Sequence, residues 1–365
     1  VVAGLTNFDS VTIQNAHVQI EGDVVQNNDW VIESSKVDVS EGYSHQSGAI
    51  HLTGSELSIS GVLNINSVSL ILDASTLAVQ PTAIDQITQW QSIELKNNSK
   101  VKHAISSDLN LGLNWQADTI VVDATSSFDV SNLSTSTNGQ WAGGSHGGRG
   151  AATISAAVYG SLDQPFTMGL GAAYDATYQG NGGGVIHLIA NELILDGSLI
   201  SDGARDRSYN SGAGGSIWLE TGKLSGTGVI RANGGNTSSS RYAGAGGRVA
   251  VYAGDTSNFD LSKVEALGGL STSYATSTTY TGGAGTVYLK NTSTNKTDLV
   301  LKSQYQSQFA TVVSNLSSFD DVTILNANVQ VDGNVEQNKA WLIEGSQVKF
   351  NGNWNLGLAS VETNY

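Results

Sequence analysis

Residues 1–40 of this chain return without a gap at 312–351: VVAGLTNFDSVTIQNAHVQIEGDVVQ becomes VVSNLSSFDDVTILNANVQVDGNVEQ, and 21 of the 40 aligned positions are identical. Phe8, Val11, Ile13, Asn15, Val18, Gly22, Trp30 and Ile32 recur as Phe319, Val322, Ile324, Asn326, Val329, Gly333, Trp341 and Ile343. Apolar and glycine positions repeat alike, so what recurs is a buried surface and a backbone shape. A chain with such self-similarity builds its core by stacking units that cannot bury their apolar faces alone. The expectation is one whole unit over 1–311 and the start of a second over 312–365, in a tandem array. Val1 then reads as a position inside a longer polypeptide.

A shorter motif recurs inside the unit, in which small residues precede an alternating strand. It runs Gly183-Gly184-Val185-Ile186-His187-Leu188, Gly214-Gly215-Ser216-Ile217-Trp218-Leu219, Gly246-Gly247-Arg248-Val249-Ala250-Val251 and Ala284-Gly285-Thr286-Val287-Tyr288-Leu289. Its central residues Ile186, Ile217, Val249 and Val287 lie 31, 32 and 38 apart. Segments 57–65, 67–72, 118–123 and 127–131 carry the same rhythm of strand and corner.

Alternation with period 2 and β-branched residues makes short strands, and Gly, Asn, Asp and Ser supply positive-φ corners between them. Nothing reads as a long amphipathic helix. A β-sandwich would ask for tight hairpins, and Asp196-Gly197, Asp332-Gly333 and Asn351-Gly352 could close them, yet solenoid corners use the same pairs. The spacing near 31 favours one coil of two or three faces, and only 2 Pro in 365 residues spares ladder hydrogen bonds. The expected fold is all-β, a parallel β-helix (β-solenoid) with glycine-rich loops and no substantial helix. Roughly a dozen coils at about 4.8 Å each would make a rod.

The absence of Cys removes disulfides, thiolate metal sites and cysteine nucleophiles. A net charge of −15 has the wrong sign for nucleic acid or anionic lipid. No apolar run approaches the roughly 18 residues a bilayer crossing needs, so no membrane insertion is expected. Function should then sit on insertions between faces. The conspicuous ones are 132–182, Arg205–Asn210 and 238–242, and Arg205, Arg207, Tyr209, Arg241 and Tyr242 either cover the glycine-rich edge and keep it soluble or form a carbohydrate or protein contact patch.

Catalytic patterns find little support. Gly143-Gly144-Ser145-His146-Gly147 fits G-x-S-x-G, but no strand-to-helix turn surrounds it. Gly282-Gly283-Ala284-Gly285-Thr286-Val287 has Val where a calcium-binding β-roll needs Asp. The six His residues show no metal-ligand grouping, and His51 and His187 occupy matching strand positions that suggest an outward slot. Asp196, Asp202, Arg205, Asp206, Lys223 and Arg231 on neighbouring coils could serve a polysaccharide lyase or hydrolase, with no assignment preferred. No catalytic residue, metal or cofactor is expected.

The blocks 143–148, 211–219, 244–252 and 282–290 resemble the glycine-rich parallel β-helix coils of very large bacterial exoproteins, adhesin-like and Rhs-type surface proteins. The resemblance covers about 118–290. It implies an extracellular or bacterial cell-surface stalk or fibre module, without catalytic residues. Its expected partners are tandem copies of itself or neighbouring repeats, with glycans or a host or cell surface as contacts through the loops. The alternative is a polysaccharide-binding or polysaccharide-degrading β-helix protein.

Overall fold

The computed structural model describes residues 1–140, 142–152, 156–173, 179–205, 210–238, 241–273, 277–337, 339–356 and 361–364. The described chain is nearly all-β in its regular structure, built on one large, mostly parallel sheet, and its only helical segments are the 3-10 turns Leu261–Lys263 and Leu316–Ser318.

Strands join different ladders in rotation. Trp30–Glu33 enters the first ladder, Lys36–Val39 the second and Tyr43–His45 a short third. Ala49–Thr53 then returns to the first ladder beside Trp30–Glu33, with Trp30 opposite Ile50 and Ile32 opposite Leu52. Each return takes about 20 residues here. Farther on it lengthens to the spacing read from the sequence: Ile186 pairs with Ile217, Ile217 with Val249 and Val249 with Val287.

Alternate side chains of these strands point inward, since neighbouring residues of a strand face opposite ways. Ile32, Leu52, Leu70, Leu72, Ile120, Val122, Leu193 and Leu195 are fully buried in one continuous core. Burying each side chain of this size stabilises by about 1.5–3 kcal/mol. Aromatic rings fill the wider parts, with Trp30 stacked on Tyr43 at 5.0 Å and Trp115 meeting Trp90 at 5.1 Å.

The corner between the first two ladders is a column of serines. The N–H groups of Ser35, Ser55, Ser75 and Ser99 donate to the Oγ of Ser55, Ser75, Ser99 and Ser126 at 3.0–3.1 Å. A positive-φ residue stands just before each turn, at Ser34, Gly54 and Ala74, so the left-handed corner expected from sequence is present in this region. Replacing Ser75 with Ala would leave the buried Ser55 N–H without its acceptor. A loss of about 1–3 kcal/mol is expected, read as a lower urea midpoint; an unchanged midpoint would show that the column does not carry stability.

The paired glycines do something else. None of Gly183, Gly184, Gly214, Gly215, Gly246 or Gly247 has positive φ, so the corner role assigned to them is corrected. A Cβ on Gly215, Gly247 or Gly285 would collide with the carbonyl oxygen of Gly184, Gly215 or Gly247 below it. Glycine is required because the missing side chain would point along the stack into backbone. Segment 142–152 is likewise no surface loop. It crosses these tracts, with Gly144 N donating to Ser211 O at 2.9 Å and Gly283 N donating to Arg149 O at 2.8 Å.

One pairing departs from the parallel pattern. Thr286–Asn291 and Thr297–Lys302 form an antiparallel hairpin, after which the ladder is parallel again. Val287 lies opposite Val300 and both face the first core; Tyr288 lies opposite Leu299 and both face a second core made by Leu301, Phe319, Val322 and Ile324. Strand direction and buried face thus switch together at this hairpin.

Beyond it the recurrence is structural. Val11 pairs with Trp30 and Ile13 with Ile32, as Val322 pairs with Trp341 and Ile324 with Ile343. Asn15 and Asn326 both have φ 50, and Gly22 and Gly333 have φ 106 and 92.

Candidate functional site

A polar cleft of about 310 Å³ lies beside the second ladder, lined by Asp202, Arg205, Arg231, Asn233, Asn236 and Gln304 together with glycines and Leu267. The 31-residue return places its parts: Ser198–Ile200 pairs with Val229–Arg231, setting Asp202 one layer from Asn233. Arg231 Nε donates to Asp202 Oδ2 at 2.8 Å, and Asn233 N donates to Oδ1 at 2.8 Å. The pattern continues upward, with Leu267 N on Asn233 Oδ1 and Leu270 N on Asn236 Oδ1, each at 2.7 Å. Asp and Asn side chains here act as rungs between layers.

Burial raises the Asp202 carboxyl above the usual range, with Asp129 adding to the effect and Arg231 opposing it. Burial also acts on Asp129, but Lys100 Nζ at 2.8 Å and Ser131 hold that carboxyl below the usual range. Carboxylates pushed in opposite directions are what acid–base catalysis requires. Both Asp202 oxygens, however, already accept from protein donors. The open side of the cleft is furnished by the exposed Arg205 and Gln304 and the partly exposed Arg231, a set of donors suited to hydroxyl-rich or anionic ligands.

Of the expected contact residues, Arg205 lines this cleft, whereas Arg207 and Tyr209 lie outside the described residues, as does Asp206. Arg241 and Tyr242 are not among its lining residues. Tyr242 is half-buried, its N–H donating to Asn210 Oδ1 at 3.1 Å and its ring 5.9 Å from that of Tyr280. Asp196 accepts from Thr227 N at 3.0 Å, and Lys223 donates to Glu192 at 2.8 Å, both away from the cleft. Asn233, Asn236 and Gln304 escaped the sequence reading. The spacing of 31 between Asp202-Gly203 and Asn233-Gly234 was the available signal for the first of these.

A second polar cluster is enclosed. His146 Nδ1 meets Gly214 O at 2.9 Å and Nε2 meets Thr167 Oγ1 at 3.0 Å. Ser145 Oγ instead accepts from Gly150 N at 2.9 Å and donates to Ala156 O at 3.2 Å, so the two do not form a nucleophile and base. The buried Arg248 donates to Tyr159 O at 2.7 Å and Thr286 Oγ1 at 3.1 Å, and burial lowers its guanidinium to about 10. This cluster locks segments 142–152 and 156–168 onto the sheet.

His187 does face outward, yet it is covered: its ring stacks on Trp218 at 3.9 Å, and it bonds Asn114 Oδ1 at 2.8 Å and Glu220 Oε1 at 3.1 Å. Among the described residues no group of three or more His, Asp or Glu is arranged to hold a metal, and no helix is long and apolar enough to cross a membrane.

Comparison with known proteins found no matching family model, no similar curated protein and no similar solved structure.

Proposed function

We propose that the chain winds as a parallel β-solenoid and serves as a structural repeat module in the stalk of a secreted or cell-surface fibre or adhesin. The observation that carries this reading is the return of strands 11–39 at 322–350 in the same pairing register. Rotation of successive strands through the ladders, with returns of 19 to 38 residues apart from one of 73 between Leu113 and Ile186, supports winding about a common axis. A stalk gains length from each unit, whereas catalysis gains nothing from direct continuation into a second copy. Extracellular or bacterial-surface placement rests on the resemblance of the glycine-rich coils to those of large exoproteins.

Ten strands of the first ladder lie between Val11–Gln14 and its counterpart Asp321–Leu325, counting both arms of the hairpin, so the second copy begins eleven inter-strand steps on. At about 4.8 Å per strand each unit should add about 50 Å. Electron microscopy of chains carrying one, two and three joined units tests this. Particle length should rise by a constant step, and particles that thicken without lengthening would sink the stalk reading.

The carbohydrate reading has one specific observation in its favour, the donor-lined cleft at Arg205 and Arg231. If it holds, calorimetry against a panel of acidic and neutral polysaccharides should detect binding that Arg205→Ala weakens about tenfold, the effect of losing one charge-assisted hydrogen bond. Binding indifferent to Arg205 would remove the cleft from consideration.

A further inference from the structure

The two copies of the repeated segment share the pairings of Val11–Gln14 and His17–Ile20 but differ in surroundings, and Leu5–Phe8 is strand where Leu316–Ser318 is a 3-10 turn. Phe319 is 6% exposed and its equivalent Phe8 is 49% exposed; Val313 is 4% exposed and Val2 38%. Leu316 is fully buried while Leu5 is half-buried. The Thr286–Lys302 hairpin region covers the second copy. Leu299 pairs with Val322 and Leu301 with Ile324, the Tyr288 ring meets Phe319 edge-on at 5.9 Å, and Thr297 N donates to Asp320 Oδ2 at 2.9 Å.

The apolar and N–H-accepting residues that receive the hairpin are present in the first copy, whereas Asp321, which pairs with Lys296 at 2.6 Å, is replaced by Ser10, and Leu325 by Gln14. Phe8, Asp9, Val11 and Ile13 are identical to Phe319, Asp320, Val322 and Ile324. Along Val11–Gln14 the backbone is set as it is along Val322–Leu325. Val11 N and Asn15 N donate toward the next strand, to Asp29 O at 3.3 Å and Glu33 O at 3.0 Å, so strand alternation turns Thr12 and Gln14 to the other side. The corresponding groups in the second copy are used: Leu325 O, equivalent to Gln14 O, accepts from Ser303 N at 3.0 Å. Among the described residues, Val11–Gln14 pairs on one side only.

We infer that the Val2–Gln14 edge is a docking surface for the Thr286–Lys302 hairpin of a neighbouring copy of this unit, with the Leu299 and Leu301 positions against Val11 and Ile13. The inference deepens the stalk reading and rests on it for the neighbour. It also fixes the geometry of each junction. Because strand direction and buried face switch together at the hairpin, adjoining units are related by about a half-turn around the stacking direction and keep one winding hand.

The test is a chain with a second copy of residues 284–311 placed ahead of Val1, compared with the 365-residue chain by amide hydrogen exchange. A control carries Asp at the added positions corresponding to Leu299 and Leu301. Exchange at Thr12 and Gln14 should slow about tenfold or more in the extended chain and not in the control. Phe8→Ser should speed exchange there in the extended chain and change little in the 365-residue chain. Equal exchange in extended and original chains, or equal slowing in the control, overturns the inference. Constant length steps without this protection would leave the stalk standing and the junction refuted; protection without constant steps would do the reverse.

Discussion

Gly244→Ala should cost the fold about 4 kcal/mol or more, beyond the usual penalty of overpacking, and it should prevent folded protein from accumulating if total stability is ordinary. A Cβ at Gly244 would overlap Gly212 O, one at Gly212 would overlap Asn181 O and one at Gly282 would overlap Gly244 O. The obstacle is backbone each time, and that backbone is held sideways as well. Gly235 N donates to Gly212 O at 2.8 Å, Gly244 N to Gly235 O at 3.1 Å, Gly269 N to Gly244 O at 2.8 Å and Gly282 N to Gly269 O at 3.0 Å. Making room at one rung therefore disturbs hydrogen bonds in two directions. Gly42→Ala is the comparison, because its Cβ would meet first the movable side-chain oxygen of Asp23, at 2.9 Å. Chemical denaturation of the two variants should separate them by several kcal/mol. Equal, small losses would mean that the glycine tracts tolerate a wider spacing.

Acid should weaken the fold well before its carboxylates titrate. Burial lowers His103 to about 4, against the pull of the Ala104 carbonyl. Burial, then the adjacent Arg248 charge, lowers His146 to about 3. His103 Nδ1 lies 2.7 Å from Ala104 O and its Nε2 accepts from Val185 N at 3.3 Å, so a second ring proton would face a donor. Both histidines are neutral when folded and gain a proton near pH 6.5 when unfolded. Their contribution is complete above about pH 6.5 and is lost as pH falls toward the folded values, on the order of 5 kcal/mol for the pair by pH 4. Asp202 acts oppositely, since its raised carboxyl favours folding as pH falls and offsets part of the loss. Guanidinium unfolding at pH 7, 5.5 and 4.5 should show this slope, and His146→Gln should remove roughly half of it. Stability that holds flat to pH 4.5 would contradict the burial of both rings.

What could be read in advance was periodic. The alignment of Ile186, Ile217, Val249 and Val287 was visible because inward positions of stacked strands must all be apolar, and the observed register follows it. The serine column was equally available, since Ser35, Ser55 and Ser75 stand 20 apart, but polar residues at corners look like ordinary loop composition. The glycine tracts misled for a related reason: glycine marks both positive-φ corners and close backbone approach, and only coordinates separate the two. The hairpin at 291–296 was hidden because positive-φ Asn295 would suit a parallel corner as well as a reversal. At the candidate site, Arg205 reached the cleft, while Tyr242 was absorbed into packing against Tyr280. Loop residues carry no alternation to say which way they point.

The unequal return lengths have a mechanical consequence. Interior strands of the first ladder are bonded to the strand before and the strand after, so tension applied at the chain ends would strip them one at a time. Slack would then be released in increments, about 70 Å where 20 residues separate successive strands and about 105–135 Å where 31 to 38 do. A filament built this way would lengthen stepwise under load, with the shortest steps drawn from residues 1–70.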